Sequence, residues 1–397
     1  MSPFSVAARA VLRALLLLPF VCMAAAAVAG DDQPVLPPLK TITTIASTVP
    51  ANGDVNPYGV ARVTRTMGNL RAGHILVSNF NDSGNLQGTG TTIVDVAPDG
   101  HVSVFAALAA ADLPGSCPGG IGLTTALIAL KQGWVVVGSL PTSSQGTVFA
   151  GSGCLIVLDS LGKPVETFYG SLINGPWDMT AWDGDSEAKL FVTNVLNGTV
   201  AANGAVVHGG TVTRLDLKVS AAAMPVLESI TVIGSGFPER TDPAALVIGP
   251  TGVGLRASCA EDRDDCSHDR SGRNGDDEHD SSLLYVADTL SNRVAVIDRA
   301  LTRTSTAGTG RTLSSGGSLN APLGLVVTPS DTVLTVNGGD GFITEISPHG
   351  VQLHKMLLDG TGGPPPGAGT LFGLVFDPAA GVYFVDDGSN TLNLLHR

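Results

Sequence analysis

The stretch Asn320-Ala321-Pro322-Leu323-Gly324-Leu325-Val326-Val327 joins a turn of proline and glycine to an apolar strand, and this pattern decides the fold. Related turns recur along the chain as Pro57-Tyr58-Gly59, Pro118-Gly119-Gly120, Pro176-Trp177-Asp178, Pro250-Thr251-Gly252 and, in degenerate form, Leu371-Phe372-Gly373. Recurrence at a spacing of this size indicates an architecture built from copies of one supersecondary unit.

Each repeat continues with further runs of β-branched and aromatic residues of strand length, bounded by Gly, Asn, Asp and Pro. In the first repeat these runs are Ile75-Leu76-Val77, Thr92-Ile93-Val94-Asp95-Val96 and Val102-Ser103-Val104-Phe105. Four antiparallel strands in each of six repeats, with almost no helical periodicity, predict an all-β protein, a six-bladed β-propeller. A β-sandwich array and a seven-bladed ring are the alternatives.

The last repeat stops after its third strand, near Leu395. A run of strand character at residues 40–47 supplies the missing fourth strand from the other end of the chain. We therefore predict that this N-terminal strand completes the last blade and closes the ring, which removes exposed sheet edges.

The first 29 residues have the pattern of a secretion signal. Arg9 and Arg13 precede the apolar run from Ala14 to Ala29, and Ala27-Val28-Ala29 has the small-x-small form of a cleavage site. We predict cleavage after Ala29 and a periplasmic or secreted protein with one domain, residues 30–397. An uncleaved membrane anchor is the alternative, and no later segment is apolar and long enough to span a bilayer.

The charge of the chain argues against two classes of partner. The formal net charge is -13, and removal of Arg9 and Arg13 with the signal makes it -15. Nucleic acids and anionic lipid surfaces attract basic patches, so we predict neither as a partner. A monomer that binds a small molecule or a protein is expected.

Four cysteines remain after the signal is removed, which in an exported chain indicates disulfides. Of three possible connectivities we choose Cys117–Cys154 and Cys259–Cys266. The second pair lies in an acidic insertion, residues 257–281, which we predict to be a solvated loop; a divalent-ion site is the alternative.

One repeat carries a family resemblance. Leu284-Tyr285-Val286-Ala287-Asp288-Thr289-Leu290-Ser291-Asn292-Arg293-Val294 resembles the NHL repeat, with its Ala-Asp pair and Asn-Arg turn, and Asn320 to Leu325 resembles the start of that repeat. The resemblance implies a propeller scaffold. NHL-type propellers include lyases, lactonases and binding modules, so it implies no single reaction.

Three long loops are expected on one face of the ring. The connections between the second and third strands are long in the first three blades, at residues 79–90, 139–153 and 194–210, and short in the other three. Long loops on a rigid scaffold commonly carry function, so we predict a ligand or partner site there. Tolerated surface variation is the alternative.

A ring of polar residues is predicted at the mouth of the central channel, joined by Trp177. Its members come from the ends of the second strands and the third turn: Asn79, Ser139, Asp178, Asn194, Asp288, Asn337 and Asp386. Carboxylate and amide oxygens on one axis suit Ca²⁺, with Asp178, Asp288 and Asp386 as metal ligands. The alternative is that Asn and Asp cap strand ends and turns.

The catalytic motifs of several enzyme classes are missing from the sequence. We find no Gly-x-Ser-x-Gly elbow, no His-Glu-x-x-His motif and no phosphate-binding loop. We therefore expect a non-catalytic module that binds a ligand or a protein through the long-loop face. The alternative is a calcium-dependent hydrolase or lactonase of the gluconolactonase-like type at the channel mouth; a structural module of the cell envelope is a third hypothesis.

Overall fold

A computed structural model describes residues 33–257 and 280–397. The predicted signal at residues 1–29, the Cys259–Cys266 pair and most of the acidic insertion at 257–281 lie outside the described residues. Within the described ranges, no helix has the length and apolar character that a membrane span requires.

The described chain forms six antiparallel sheets, so the prediction of a six-bladed β-propeller is confirmed. Blade 1 contains β2 (Val55–Arg62), β3 (Ile75–Asn81), β4 (Gln87–Val96) and β5 (Val102–Ala107). Blade 2 contains β6 (Leu127–Ala129), β7 (Val135–Ser139), β8 (Cys154–Leu158) and β9 (Pro164–Tyr169). Blade 3 contains β10 (Pro176–Asp183), β11 (Glu187–Asn194), β12 (Val207–Lys218), β13 (Val226–Asp242) and a short fifth strand, β14 (Leu246–Ile248).

The remaining three blades have four strands each. Blade 4 contains β15 (Pro250–Arg256), β16 (Leu283–Asp288), β17 (Arg293–Asp298) and β18 (Arg311–Ser315). Blade 5 contains β19 (Pro322–Val327), β20 (Val333–Asn337), β21 (Phe342–Ile346) and β22 (Gln352–Leu357). Blade 6 contains β23 (Leu371–Asp377), β24 (Gly381–Asp386), β25 (Thr391–His396) and, from the N-terminal side, β1 (Thr41–Ser47).

The two ends of the described chain meet in blade 6, as the sequence predicts. β1 pairs antiparallel with β25, with Thr41 opposite His396 and Ser47 opposite Thr391. The segment before β1 is also held, because the Glu345 carboxylate of blade 5 accepts hydrogen bonds from the backbone N–H groups of Val35 and Leu36. The ring is therefore closed by hydrogen bonds between distant parts of the chain.

The first strand of each blade lies innermost, and a bulge follows its opening turn. In blade 5 the register shifts between Pro322 and Leu325, and blades 1, 3, 4 and 6 have the same shift. The bulge holds Gly324, where an added Cβ would overlap the backbone carbonyl of Phe372 in the next blade. Gly252 and Gly373 make equally close approaches, so glycine lets neighbouring inner strands pack side by side.

Blade 2 departs from the predicted alignment. Its inner strand first pairs with the second strand at the Leu123–Leu140 bridge, further along the chain than the Pro118 turn. The Pro118 turn lies instead beside the predicted Cys117–Cys154 disulfide, which is present with the two Cα atoms 5.3 Å apart. That disulfide joins the start of blade 2 to the start of its third strand, at the base of the loop of residues 139–153.

Only one short α-helix, α1 (Thr199–Ala202), and one 3₁₀ turn (Ala110–Asp112) occur in the described residues. Apolar side chains fill the spaces between the blades. Between blades 2 and 3, for example, Val136, Leu155 and Leu190 are fully buried in one cluster. The inner strands thus have fixed positions around the channel, and their starts all lie at one end of it.

Candidate functional site at the channel mouth

The channel mouth is the end of the ring at which the inner strands begin and the second strands finish. Pro176 pairs with Asn194, Pro250 with Asp288, and Pro322 with Asn337. The long loops at 79–90, 139–153 and 194–210 leave from the same end. The predicted polar residues therefore do lie at the mouth, and their contacts show what each one does.

Two of the predicted amides cap their own blades. Asn194 Oδ1 accepts a hydrogen bond from the N–H of Asn174 over 2.9 Å, and Asn337 Oδ1 accepts one from the N–H of Asn320 over 3.1 Å. Both side chains are fully buried. Each amide fixes the turn that leads into the inner strand of its blade, which is the strand-capping role named as the alternative.

Asn79 and Ser139 make different contacts. Asn79 Nδ2 donates to the carbonyl of Thr48 over 2.7 Å, and its Oδ1 is buried without a hydrogen-bond partner. Ser139 Oγ accepts from the N–H of Gly122 and donates to the carbonyl of Gly120. Ser139 holds the position of Asn79 in blade 2, because Ser139 pairs with Cys154 of the third strand as Asn79 pairs with Thr92 in blade 1.

Asp288 is held in a buried ion pair. Its Oδ2 accepts a hydrogen bond from Arg293 Nε over 2.8 Å, with the Asp288 side chain fully buried and the Arg293 side chain 13% exposed. The N–H of Ser291 contacts the other carboxylate oxygen at 3.3 Å. The guanidinium supplies the positive charge that a metal ion would otherwise bring.

Asp178 joins two blades from its position in the bulge of β10. Its Oδ1 accepts from the N–H of Met179 over 2.8 Å, and its Oδ2 accepts from the N–H of Val253 in blade 4 over 3.1 Å. Protein surrounds the carboxyl, which stays partly accessible to solvent. Burial raises the pKa of Asp178 to about 7, against the opposing effect of the two backbone donors.

The predicted calcium ligands do not fit one ion as a set. Asp288 is neutralised by Arg293, and both oxygens of Asp178 accept backbone N–H groups. In residues 33–257 and 280–397, no three His, Cys, Asp or Glu side chains come together in a group that could hold a metal. The described structure does not bring Asp178, Asp288 and Asp386 together as one metal site, so their role as calcium ligands stays a prediction, and we derive no chemistry through a metal there.

Trp177 belongs to an aromatic cluster that fills one half of the mouth. Its Nε1 donates to the hydroxyl of Tyr58 over 2.7 Å, and the Tyr58 ring stacks on Phe372 with centroids 5.0 Å apart. Phe80 packs edge-on against Tyr58. Burial and the nearby Asp178 raise the pKa of Tyr58 well above its ordinary value, so its hydroxyl stays protonated.

The three long loops pack over this aromatic cluster and against one another. Val148, Val195, Leu196 and Val200 from the second and third loops join the apolar cluster of Tyr58 and Trp177. Gln87 in the first loop donates through Nε2 to the carbonyl of Ala244 over 2.6 Å. The long loops therefore form a packed cover over the half of the mouth formed by blades 1–3.

The residue directly after the predicted polar position packs into the aromatic cluster at the mouth in blades 1 and 3, and the sequence analysis missed this position. Phe80 and Val195 hold it in blades 1 and 3 and are buried in the apolar cluster. Thr289 holds it in blade 4 and donates to the carbonyl of Pro322 over 2.7 Å. In blade 6 the same position is Asp387, directly after β24. The two consecutive acidic residues Asp386 and Asp387 are the sequence feature that could have drawn attention to this position.

Asp387 has the properties of a proton acceptor. It is partly exposed, and no hydrogen bond to its carboxylate occurs among the described residues. Its own burial, together with the negative charge of Asp386, raises the pKa of Asp387 to about 7. Asp386 is more deeply buried, and burial and Asp359 raise its pKa as well, although Asp386 Oδ1 accepts from the N–H of Ser389 over 3.2 Å.

The mouth therefore has two unlike halves. Blades 1 and 3 bring aromatic side chains under a loop cover, while the short loop after β24 in blade 6 carries Asp387, a carboxyl group with a near-neutral pKa. A carboxyl of this kind can take a proton from water near pH 7. The ring of Phe372, which is partly exposed, supplies apolar surface in blade 6 as well.

Comparisons with known proteins place the fold among six-bladed propellers. No protein-family model matches the sequence, and no curated protein matches it. Among solved structures, the chain is similar to a gluconolactonase from Xanthomonas campestris, with 14% identity, a TM-score of 0.51 and coverage of 89% of this chain and 88% of that one. At this identity the similarity shows the fold alone.

Two further solved structures have TM-scores below 0.5. Virginiamycin B lyase from Staphylococcus aureus has 12% identity, a TM-score of 0.43 and coverage of 90% of this chain and 99% of that one. The calcium-binding protein regucalcin from Agrobacterium tumefaciens has 11% identity, a TM-score of 0.48 and coverage of 88% and 93%. The six antiparallel sheets themselves define the class of the protein as a six-bladed β-propeller, and its function is a separate question.

Proposed function

We propose that the protein is a hydrolase for small neutral esters or lactones, with Asp387 at the channel mouth as its general base. The observation that carries the proposal is a partly exposed carboxyl whose pKa is raised to about 7 by burial and by Asp386. Catalytic acids and bases need a pKa near the working pH, and such shifted groups concentrate at functional sites.

The proposed step needs only water and the carboxylate. Asp387 removes a proton from a water molecule as the water oxygen bonds to the carbonyl carbon of the substrate. The carbonyl electrons move onto its oxygen; when they return, the carbon–oxygen bond to the leaving group breaks. The proton then passes from Asp387 to the departing alkoxide, which leaves an acid and an alcohol and restores the carboxylate.

Charge and surface indicate what kind of substrate fits. Asp386 and Asp387 place negative charge at the mouth of a protein whose net charge is -13, so anionic substrates are repelled. The ring of Phe372, which is partly exposed and stacks on the buried Tyr58, offers an apolar face. A neutral ester or lactone with an apolar side meets both conditions.

Hydrolysis of a panel of neutral lactones and aryl esters at pH 8 tests this proposal. Asp387→Asn should lower kcat/KM by about 100-fold or more, because general-base catalysis contributes about 10²–10⁴. Asp185→Asn is a matched control, since the side chain of Asp185 is 91% exposed. No turnover of any substrate by the wild type, or equal turnover by Asp387→Asn, would overturn the proposal.

The fold and the disulfide support related parts of the proposal. The Xanthomonas gluconolactonase shows that a lactonase can have a similar fold. A shared fold does not imply a shared function, so the hydrolase activity of this chain is our own proposal. Export to the periplasm or the medium, as a monomer, is also proposed. The Cys117–Cys154 disulfide supports an oxidising compartment.

A second candidate is a binding module that uses the outer surface of the long loops. Each long loop exposes one large apolar side chain: Leu86 is 37% exposed, Phe149 38% and Val206 51%. Apolar side chains on a shared face favour a protein partner. On this hypothesis the packed loop cover is the binding surface and the mouth has no reaction to perform.

A triple variant separates the two candidates. Leu86→Asp, Phe149→Asp and Val206→Asp together should abolish capture of a partner from the native host extract if the loops bind a protein. The hydrolase proposal expects these changes to leave ester turnover intact. Leu161→Asp is the matched control, because Leu161 is 61% exposed in a different turn of blade 2.

A further inference from the structure

Away from the proposed base, one buried carboxyl group lacks both an ion pair and a hydrogen bond of good geometry among the described residues. Glu239 lies in β13 opposite Val207 of β12 and is fully buried. Neither of its carboxylate oxygens makes a hydrogen bond of good geometry, and the backbone N–H of Asn197 stabilises the charge only in part. A buried acid is costly unless a donor, a proton or a cation satisfies it.

The surroundings of Glu239 come from the loop of residues 194–210 and from two glycines. A Cβ on Gly209 would lie 2.7 Å from Glu239 Oε1 and 2.9 Å from the Cβ of Asn197, and would also overlap the Asn197 carbonyl oxygen. A Cβ on Gly249 would lie 3.1 Å from the Cβ of Glu239. The carboxylate and the main chain at Asn197 are therefore close neighbours, and only glycine lets the backbone come so near.

Asn197 adds a second unsatisfied group. Its Oδ1 accepts a hydrogen bond from Asn174 Nδ2 over 2.8 Å, and its Nδ2 is buried without a partner. The nitrogen and oxygen of a side-chain amide can exchange places by rotation of the amide. If the amides of Asn174 and Asn197 both rotate in this way, their hydrogen bond is kept, with Asn197 as the donor and Asn174 as the acceptor. The unpartnered atom of Asn197 is then an oxygen, as are both unpartnered atoms of Glu239.

No positively charged side chain pairs with Glu239 among the described residues. Arg240 is next in the chain, but alternate side chains of a strand point to opposite faces, and Asp242 holds its guanidinium at 2.8 Å. Burial raises the pKa of Glu239 to about 8, and the backbone N–H of Asn197 opposes this only in part. The carboxyl is short of positive charge.

We propose that Glu239 and Asn197 form a site for a hard cation, best matched by Ca²⁺, beneath the loop of residues 194–210. Carboxylate, amide and main-chain carbonyl oxygens are the ligands that Ca²⁺ prefers. The ion ties β13 to the segment that leads into α1, and so fixes the third long loop over the mouth. This site is separate from Asp387 and does not depend on the proposed hydrolase.

The test adds Ca²⁺ to the full chain after treatment with a chelator, at pH 9, where the Glu239 carboxyl is ionised. Ca²⁺ should raise the Tm of the wild type and slow proteolysis within residues 194–210. Mg²⁺ should have less effect, because it gives up its water ligands reluctantly. The apparent Ca²⁺ affinity should fall as the pH is lowered, because protons compete with Ca²⁺ for the carboxylate.

Two variants and one control decide the assignment. Glu239→Gln should abolish the Tm rise, Asn197→Ala should weaken Ca²⁺ binding, and Glu187→Gln, at an exposed position, should behave as the wild type does. If Glu239→Gln folds poorly, two other measurements decide the assignment. These are Ca²⁺ binding by Asn197→Ala and titration calorimetry of Ca²⁺ binding to the wild type. An absent Tm rise in the wild type overturns the proposal, as does an equal rise in Glu239→Gln. A rise that is lost only in Asp387→Asn also overturns it, because that ion would lie at the mouth.

Discussion

Asp178 accepts a hydrogen bond from the backbone N–H of Val253 over 3.1 Å, so one carboxylate links the inner strands of blades 3 and 4. In blades 4, 5 and 6 the equivalent positions are glycines packed against the next strand. A buried link with a pKa near 7 makes the strength of this blade contact depend on pH.

Asp178→Asn should remove a pH dependence of stability. The pKa of Asp178 is raised from 3.8 to about 7 in the folded protein, so the folded state holds a proton that the unfolded state releases, and stability falls as pH rises from about 4 to 7. Relative to the wild type, the variant should gain roughly 2–4 kcal/mol between pH 4.5 and 8. Urea unfolding at the two pH values measures this, and parallel pH curves would contradict it.

Arg293→Ala should be strongly destabilising. It leaves the fully buried carboxylate of Asp288 without its partner at 2.8 Å, and loss of one partner of a buried pair costs about 3–5 kcal/mol. The double variant Arg293→Ala/Asp288→Asn should recover much of this loss, and the two single variants complete the double-mutant cycle. If Asp288 instead served a metal, the single variant Asp288→Asn would change the bound metal content, which we expect to stay the same.

Asp386→Asn should shift the pH profile of the proposed hydrolase. The negative charge of Asp386 contributes to the raised pKa of Asp387, and its removal lowers that pKa. The acidic limb of kcat/KM against pH should therefore move to lower pH, with higher relative activity at pH 6. Asp185→Asn should leave the limb in place, and an unmoved limb in Asp386→Asn would remove Asp387 from the role of base.

Gly324→Ala should destabilise the ring where two inner strands touch. The added methyl group would overlap the carbonyl of Phe372 in blade 6, and overpacking of this kind costs about 1–3 kcal/mol. Gly360→Ala is the control, because the nearest atom to its added Cβ is 3.5 Å away. Thermal unfolding of both variants compares the two sites, and similar Tm values would show that the strands move apart easily.

Replacement of both cysteines of the disulfide by serine should lower stability by about 3–4 kcal/mol. The cross-link joins residues 37 apart in the chain, and its removal returns loop-closure entropy to the unfolded state. Chemical denaturation of Cys117→Ser/Cys154→Ser measures the change. Reduced wild type should unfold like the variant, and a variant as stable as the oxidised protein would show that the cross-link is strained or redundant.

The fold could be predicted because its signals are local and repeated. Proline and glycine turns and runs such as Val333 to Val336 mark strands whatever their surroundings, and the strand missing after Leu395 points to a partner at residues 40–47. The start of the inner strand of blade 2 was not predicted correctly. The Pro118 turn marks a change of chain direction, and the inner strand first pairs with the second strand further along the chain. Leu123, where pairing begins, carries no turn signal of its own.

The site was only partly predictable, because alternation along a strand makes an error of one residue decisive. Asn194 and Asn337 were correctly placed at strand ends, but they point into their own blades as caps. The next residue along, such as Val195, is the one that packs with Tyr58 and Trp177 at the mouth. Glu239 was missed because its isolation from hydrogen-bond donors is a property of the assembled blade 3 and the loop above it.

The closure of blade 6 also constrains how the chain can fold. Thr43 and His396, which contact each other across that blade, are 353 residues apart, so β1 has no partner until nearly the whole described chain has been made. Blades 1 to 5 can form in order from contacts within each blade, whereas the final blade waits for both ends. Joining those ends and cutting the chain between two blades should therefore give a circular permutant that assembles its closing sheet early, with refolding faster than that of the native order.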